Sequence, residues 1–288
     1  MAYRPVFRPT NNIPYYHPVS IEFKFNSGFS VSQKQKNIVN LHEQYERLHE
    51  GEKVLEVSSK SMQDGGKQLS AFNLKKFVPS KNAYYPLECV FQSGKVFSDG
   101  GPYLDLLEKT PKEAKKDDRL QNSGRLTKFV FEGIDFPLEP KTLYYDYLYI
   151  NALIENPELA EVLMEYDGFT DIEFNPERQI NCQAKSCAAY VSLRKLGLLD
   201  KVKDFESFKK LYVEEVPEEN LEESNEQLIN YEVGEKIEHP DYGIGEIVDV
   251  KERSLSIKFI DNNEEEVIKK LGIDWCRSNI KNFNKERE

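Results

Sequence analysis

Apolar and polar residues alternate over Ile21-Glu22-Phe23-Lys24-Phe25, which predicts a strand, and Asn26-Ser27-Gly28 reads as the turn that ends it. Ile38, Leu41, Tyr45 and Leu48 then recur at helical spacing and predict a helix from Ser30. Its first turn, Gln33-Lys34-Gln35-Lys36, is polar on every side, and suits either water or a phosphate or base contact. Residues 1–20, rich in Pro, Asn and Tyr, read as an extended arm. Residues 53–58 predict a strand, residues 63–66 a turn, and residues 69–74 a second strand or strand edge. Pro86 suits the first turn of a helix, so residues 84–97 read as one short helix. Leu87, Val90, Phe91 and Gly94 then face a core, while Glu88, Gln92 and Lys95 form a polar stripe at i, i+4 and i+7.

Ser98 to Pro102 breaks that helix, and Tyr103 to Leu107 starts another. Thr110-Pro111-Lys112-Glu113 has the form of a capping box with proline at the first helical position. Phe129 to Phe131 suggests a strand. Residues 142–156 are aromatic and helical in spacing, a stripe that reports core more often than a stacking platform. Asn156-Pro157 starts a further helix, residues 166–182 look irregular, and residues 181–199 are helical again. Several helices with a few strands predict an α+β body, mainly helical with a small sheet. From Tyr231 the pattern changes to short strands joined by tight turns, the pattern of a five-stranded barrel that protects its own edges.

Composition adds limits. The 288 residues are 39% hydrophobic and 31% charged, and no run nears the ~18 apolar residues of a membrane span. The start, Met1-Ala2-Tyr3-Arg4-Pro5, lacks a signal pattern, so a cytoplasmic protein is expected. Four cysteines and four scattered histidines show no metal-ligand spacing and no triad arrangement. No cofactor or metal is expected. The net charge of −11 argues against coating nucleic acid by bulk charge, but the acid is uneven: residues 213–226 hold seven glutamates and no base. Residues 213–230 therefore read as a linker between a body, residues 1–212, and the barrel, residues 231–288.

Five ordered motifs over residues 53–197 resemble the NADAR family. They are Leu69-Ser70-Ala71-Phe72; Glu88-Cys89-Val90-Phe91-Gln92-Ser93-Gly94-Lys95; Thr110-Pro111-Lys112-Glu113-Ala114-Lys115; Asn151-Ala152 through Asn156-Pro157-Glu158-Leu159 to Leu163-Met164; and Ile172-Glu173 followed by Asn181. The family's Asp-x-x-Trp-Gly element is replaced by Phe174-Asn175-Pro176-Glu177-Arg178. Residues 28–36 resemble the NADAR subgroup paired with DarT-type DNA ADP-ribosyltransferase toxins. Residues 231–288 look like the Tudor-like or SH3-like tail of UvrD-type helicases, chiefly through Val233-Gly234 to Pro240 and Gly243-Ile244-Gly245.

The resemblance implies an N-glycoside hydrolase that removes ADP-ribose from guanine in DNA and acts as an antitoxin to a DarT-type toxin. Glu88 suits the acid–base work. Lys95 suits either attack on a ring-opened sugar as a neutral amine or binding of the diphosphate as a cation. Gln92 can orient sugar hydroxyls, and Asp171, Glu173 and Asn181 can contact ribose or guanine. Ser70, Phe72 and Asn73 can line the same cleft, Phe72 by stacking or by packing. Two other functions fit: hydrolysis of a small free N-glycoside, and binding of ADP-ribose or toxin without turnover. The expected partners are ADP-ribosylated DNA, a DarT-type toxin and, for the acidic barrel, a protein; no membrane is expected.

Overall fold

The computed structural model describes residues 1–176, 179–212, 231–239, 242–251, 254–260, 266–272 and 281–282. The chain divides into two compact units, Met1–Glu215 and Val216–Glu288.

The first unit opens on a hairpin in place of the extended arm. β1 (Ala2–Pro9) and β2 (Tyr16–Phe23) pair antiparallel along their full length. The adjacent residues Val6 and Phe7 are both buried, Val6 under α1 (Val31–Leu48) and Phe7 in the main core. A strand covered on both faces shows no alternation, which is why the pattern hid it. Ile38, Leu41 and Tyr45 of α1 pack on Val6, Ile21, Phe23 and Ile172, while Leu48 is exposed. β3 (Val54–Glu56) follows and pairs parallel with β9 (Gly168–Thr170), a strand inside the stretch that looks irregular in sequence. The sheet order is β2-β1-β9-β3.

Residues 64–68 form a short helix, α2 (Asp64–Gln68), and residues 69–74 form a tight turn in place of a strand. Leu69, Ala71 and Leu74 are buried, so the turn mimics strand periodicity, but the amides of Asn73 and Leu74 bond back to the Ser70 carbonyl. A hairpin of β4 (Lys75–Val78) and β5 (Ala83–Pro86) leads into α3 (Leu87–Ser93). The predicted helix over residues 84–97 is thus three elements. Pro86 ends the strand and caps the helix, and Lys95 opens β6 (Lys95–Phe97), opposite Phe129 of β7 (Leu126–Phe131). The cause lies at Gly94, where a Cβ would sit 2.1 Å from the Tyr144 hydroxyl and 2.5 Å from the Val130 carbonyl. The Val130 amide donates to the Gly94 carbonyl at 2.7 Å, so strand pairing takes over where the helix stops. β8 (Ile134–Phe136) completes that sheet.

Between β6 and β7 lie a 3₁₀ turn at Leu104–Glu108, the capped helix α4 (Pro111–Lys115) and α5 (Arg119–Asn122). Thr110 and Glu113 exchange the hydrogen bonds of the predicted capping box. α6 (Leu143–Glu155) is apolar nearly all round and buried, the mark of a central helix. α7 (Pro157–Leu163), α8 (Gln183–Lys195), α9 (Leu199–Val202) and α10 (Phe205–Tyr212) complete the unit. Among the described residues no helix is long and apolar enough to cross a membrane.

The second unit is a five-stranded antiparallel sheet: β10 (Lys236–His239), β11 (Gly243–Lys251), β12 (Ser254–Ile260), β13 (Glu266–Gly272) and β14 (Lys281–Asn282). Its order is β13-β12-β11-β10-β14. Ile237, Ile247, Leu255, Ile257 and Phe259 form its core with Tyr231. Among the described residues the edge strands β13 and β14 share no pairing, and the closure expected of a barrel is not seen there. The acidic linker, residues 213–230, lies outside the described residues.

Gly94→Ala is expected to cost about 1–3 kcal/mol by overpacking, read as a lower midpoint in urea. Adding Tyr144→Phe, which removes the nearest atom, restores part of that loss.

Candidate functional site

Because β3 and β9 run parallel, the chain leaves both at the same edge of the sheet, where open sheets with parallel strands characteristically bind ligands. Ser58, Ser59 and Lys60 leave β3, and Asp171, Glu173 and Phe174 leave β9; all six line a cavity of about 360 Å³. The wall across it is α3, through Glu88, Phe91 and Gln92, with the 70–72 turn beside it. That turn is held from two sides. The Ala71 amide donates to Gln183 Oε1 at 2.8 Å, and the Glu88 amide donates to the Ala71 carbonyl at 2.9 Å.

The two strand ends are fastened to each other by Glu56, which is 2% exposed. Its carboxylate accepts from the Ser58 hydroxyl at 2.5 Å, the Thr170 hydroxyl at 2.7 Å and the Ile172 amide at 2.9 Å. Burial pushes this carboxyl up, and the charge of Asp171 pushes the same way. Burial likewise raises Asp171, with the Glu173 charge adding and the Gln183 amide and Lys115 opposing. Behind them His42 Nε2 lies 2.8 Å from the Thr170 hydroxyl, and burial holds its imidazole down at about 4.

Glu88 is the carboxylate at the centre of the cavity wall. It is 6% exposed, and Gln92 Nε2 donates to its Oε1 at 2.8 Å. Lys115, the last residue of α4, brings its ammonium 3.8 Å from the same oxygen. Tyr145 reaches the cavity from α6, edge-on to Phe91. Its hydroxyl makes no hydrogen bond among the described residues, and burial, with the charges of Glu88 and Asp171, keeps it protonated. Two buried acceptors at the cavity, Gln92 Oε1 and Asn181 Oδ1, have no donor among the described residues. Such a pocket offers acid–base chemistry, two cations, Lys60 and Lys115, and acceptors that wait for a ligand's hydroxyls or N–H groups.

Of the residues singled out in sequence, Ser70, Phe72, Glu88, Gln92, Asp171, Glu173 and Asn181 line this cavity. Asn73 does not; its side chain donates to the Lys67 carbonyl at 2.8 Å. Lys95 does not line it either, because the helix ends before it. Its ammonium lies 5.0 Å from the Phe91 ring centre, and burial pushes it below the usual lysine range. Lys115, Tyr145 and Gln183 were missed. The signal for Lys115 was present, since the capping box fixes the start of a five-residue helix whose last residue then faces Glu88. Phe174, from the segment that departs from the NADAR pattern, supplies an aromatic wall, with the Lys185 ammonium 5.2 Å from its ring centre. Among the described residues no cluster of His, Cys, Asp and Glu is placed to hold a metal.

The model of a protein family described as the DarT1-associated NADAR antitoxin matches residues 2–222. The chain belongs to this family. No curated protein matches it. Every residue of the cavity in this NADAR chain falls within the matched span, and so do the hairpin and α1.

The His42 imidazole is neutral when folded, while the unfolded chain takes up its proton near pH 6.5. Stability from this group is therefore lost as pH falls from about 6.5 toward about 4. Thermal midpoints of His42→Gln should fall less steeply than those of the parent across that window. Parallel profiles would remove His42 from the account.

Proposed function

We propose that this chain hydrolyses the N-glycosidic bond joining ADP-ribose to the exocyclic amine of guanine in DNA, and so acts as antitoxin to a DarT-type toxin. The observation that carries this reading is a pair of acceptors with no donor among the described residues, Gln92 Oε1 and Asn181 Oδ1, in one cavity with Glu88 and Lys115. Buried acceptors left unpaired are costly, so the natural ligand brings donors. A ribose brings hydroxyls, and a guanine brings N–H groups. Lys115 and Lys60 answer the diphosphate charge, and Phe72 or Phe174 offers an aromatic face to a base. NADAR membership supports the same reaction class, N-glycoside hydrolysis.

In this reading water attacks the anomeric carbon as the bond to the guanine amine breaks, and the electron pair leaves with the nitrogen. Glu88 takes a proton from the water and delivers one to the departing amine, which leaves the enzyme unchanged. Gln92 holds the carboxylate in place. Lys115 takes over the contact with the ligand first foreseen for Lys95, whose ammonium lies over the Phe91 ring and feels the Glu88 charge. In the same proposal the sheet of residues 231–282 is a separate protein-binding module. Deleting residues 231–288 is then expected to leave hydrolysis intact.

The assay is release of ADP-ribose from a guanine-modified oligonucleotide, with protein well below substrate. Glu88→Gln should lower turnover at least about a hundredfold. Lys115→Ala should lower it more than Lys95→Ala. Clearance that stops at one substrate per protein would instead support binding without turnover. An unimpaired Glu88→Gln would sink the mechanism.

A further inference from the structure

We infer that the segment from Lys24 to Lys36 is a bed for an unpaired nucleic-acid strand, on which the Phe29 ring stacks against a base flanking the one held in the cavity. The inference rests on the reading of the cavity as a site for modified DNA and names the surface that carries the rest of the strand.

Phe29 is 100% exposed, and Phe25 and Val31 are exposed beside it. The loop that presents Phe29 is built. The wholly buried Asn37 side chain accepts from the Asn26 amide at 2.6 Å and donates to the Asn26 carbonyl at 2.9 Å. Asn40 donates to the Lys24 carbonyl at 2.7 Å, and the Ser30 hydroxyl accepts from the Gln33 amide at 3.3 Å. Gly28 has φ +126, where a side chain is strained, and a Cβ there would come 3.2 Å from Gln33 Cγ. Water would favour a loop that folds its phenylalanine inward, whereas these bonds hold the loop with the ring outward.

The same segment is cationic. Residues 23–42 hold Lys24, Lys34 and Lys36 and no acid. Residues 1–212 as a whole carry 29 lysines and arginines against 29 aspartates and glutamates, so this is a local field and not a bulk one. The segment also adjoins the cavity. Lys34 Nζ lies 3.5 Å from Oε1 of Glu173, a cavity residue, and α1 packs on Ile172 next to it. Cations, small hydroxyl and amide side chains, and an open aromatic face together suit phosphates and unstacked bases. A paired duplex would hide the base faces that Phe29 needs.

The test compares two substrates and adds a binding measurement that needs no turnover. Phe29→Ala should weaken binding of an unmodified single-stranded oligonucleotide, followed by fluorescence anisotropy, by roughly 5- to 100-fold. It should raise KM for the modified oligonucleotide by a similar factor and leave hydrolysis of ADP-ribosylated guanosine unchanged. Phe29→Trp should retain binding and Phe29→Leu should not, because stacking needs a ring. Lys36→Ala should lower the salt dependence of binding. Equal binding by Phe29→Leu, or a change in sedimentation mass with Phe29→Ala, would overturn the inference in favour of an apolar protein contact. Unchanged anisotropy would overturn it outright. If no variant hydrolyses either substrate, the hydrolase reading fails while the anisotropy still decides the strand bed.

Discussion

The buried carboxylate of Glu56 is the constraint on which the site depends. Taking such a group out of water is costly unless its polar atoms find hydrogen-bond partners of good geometry. Glu56 has three, and they come from both sides of one parallel strand pair: Ser58 after β3, and Thr170 and Ile172 at the end of β9. One side chain thus sets the spacing of the two loops that supply half of the cavity lining. α3 forms the facing wall, and its length is set by Gly94, which lets Tyr144 and Val130 close in. The carboxylate and the glycine act on opposite walls. The distance between Glu88 and the Asp171 loop follows from both.

Much of the site was legible because its residues sit in motifs with local physical causes. Glu88 and Gln92 are four apart on a helix and bond to each other, as the spacing predicts. Thr110 and Glu113 cap α4 reciprocally, so the motif holding Lys115 was visible although its role was not. Lys95 was misplaced for a tertiary reason: nothing in residues 84–97 announces that Tyr144, fifty residues on, will occupy the space beside Gly94. The first strand of the hairpin was hidden by burial on both faces, whereas the end of the second, Ile21 to Phe23, alternates and was legible. Residues 69–74 imitated a strand because the turn's buried apolar residues, Leu69, Ala71 and Leu74, fall at strand-like spacing. Glu56 carried no signal at all, since its three donors are local in space and, apart from Ser58, distant in sequence.

The family assignment and the geometry meet in the cavity. The match over residues 2–222 covers all of its walls, and the chain's departure from the NADAR pattern, at residues 174–178, still places an aromatic ring there through Phe174. The cavity-lining residues all belong to the first unit. The second unit has its own core around Phe259 and Ile257 and a five-stranded sheet. Isoleucines 244, 260 and 268 are exposed on that sheet.

The proposed chemistry requires a ribosyl–guanine junction to sit against Glu88, Gln92 and Asn181. A crystal structure of Glu88→Gln soaked with ADP-ribosylated guanosine tests it most directly. Ligand hydroxyl or N–H groups are expected within hydrogen-bond distance of Gln92 Oε1 and Asn181 Oδ1, with Lys115 on the diphosphate or the departing amine. Ligand bound elsewhere, as in the apolar cavity beside Val90 and Leu107, with both acceptors still unpaired, would contradict it.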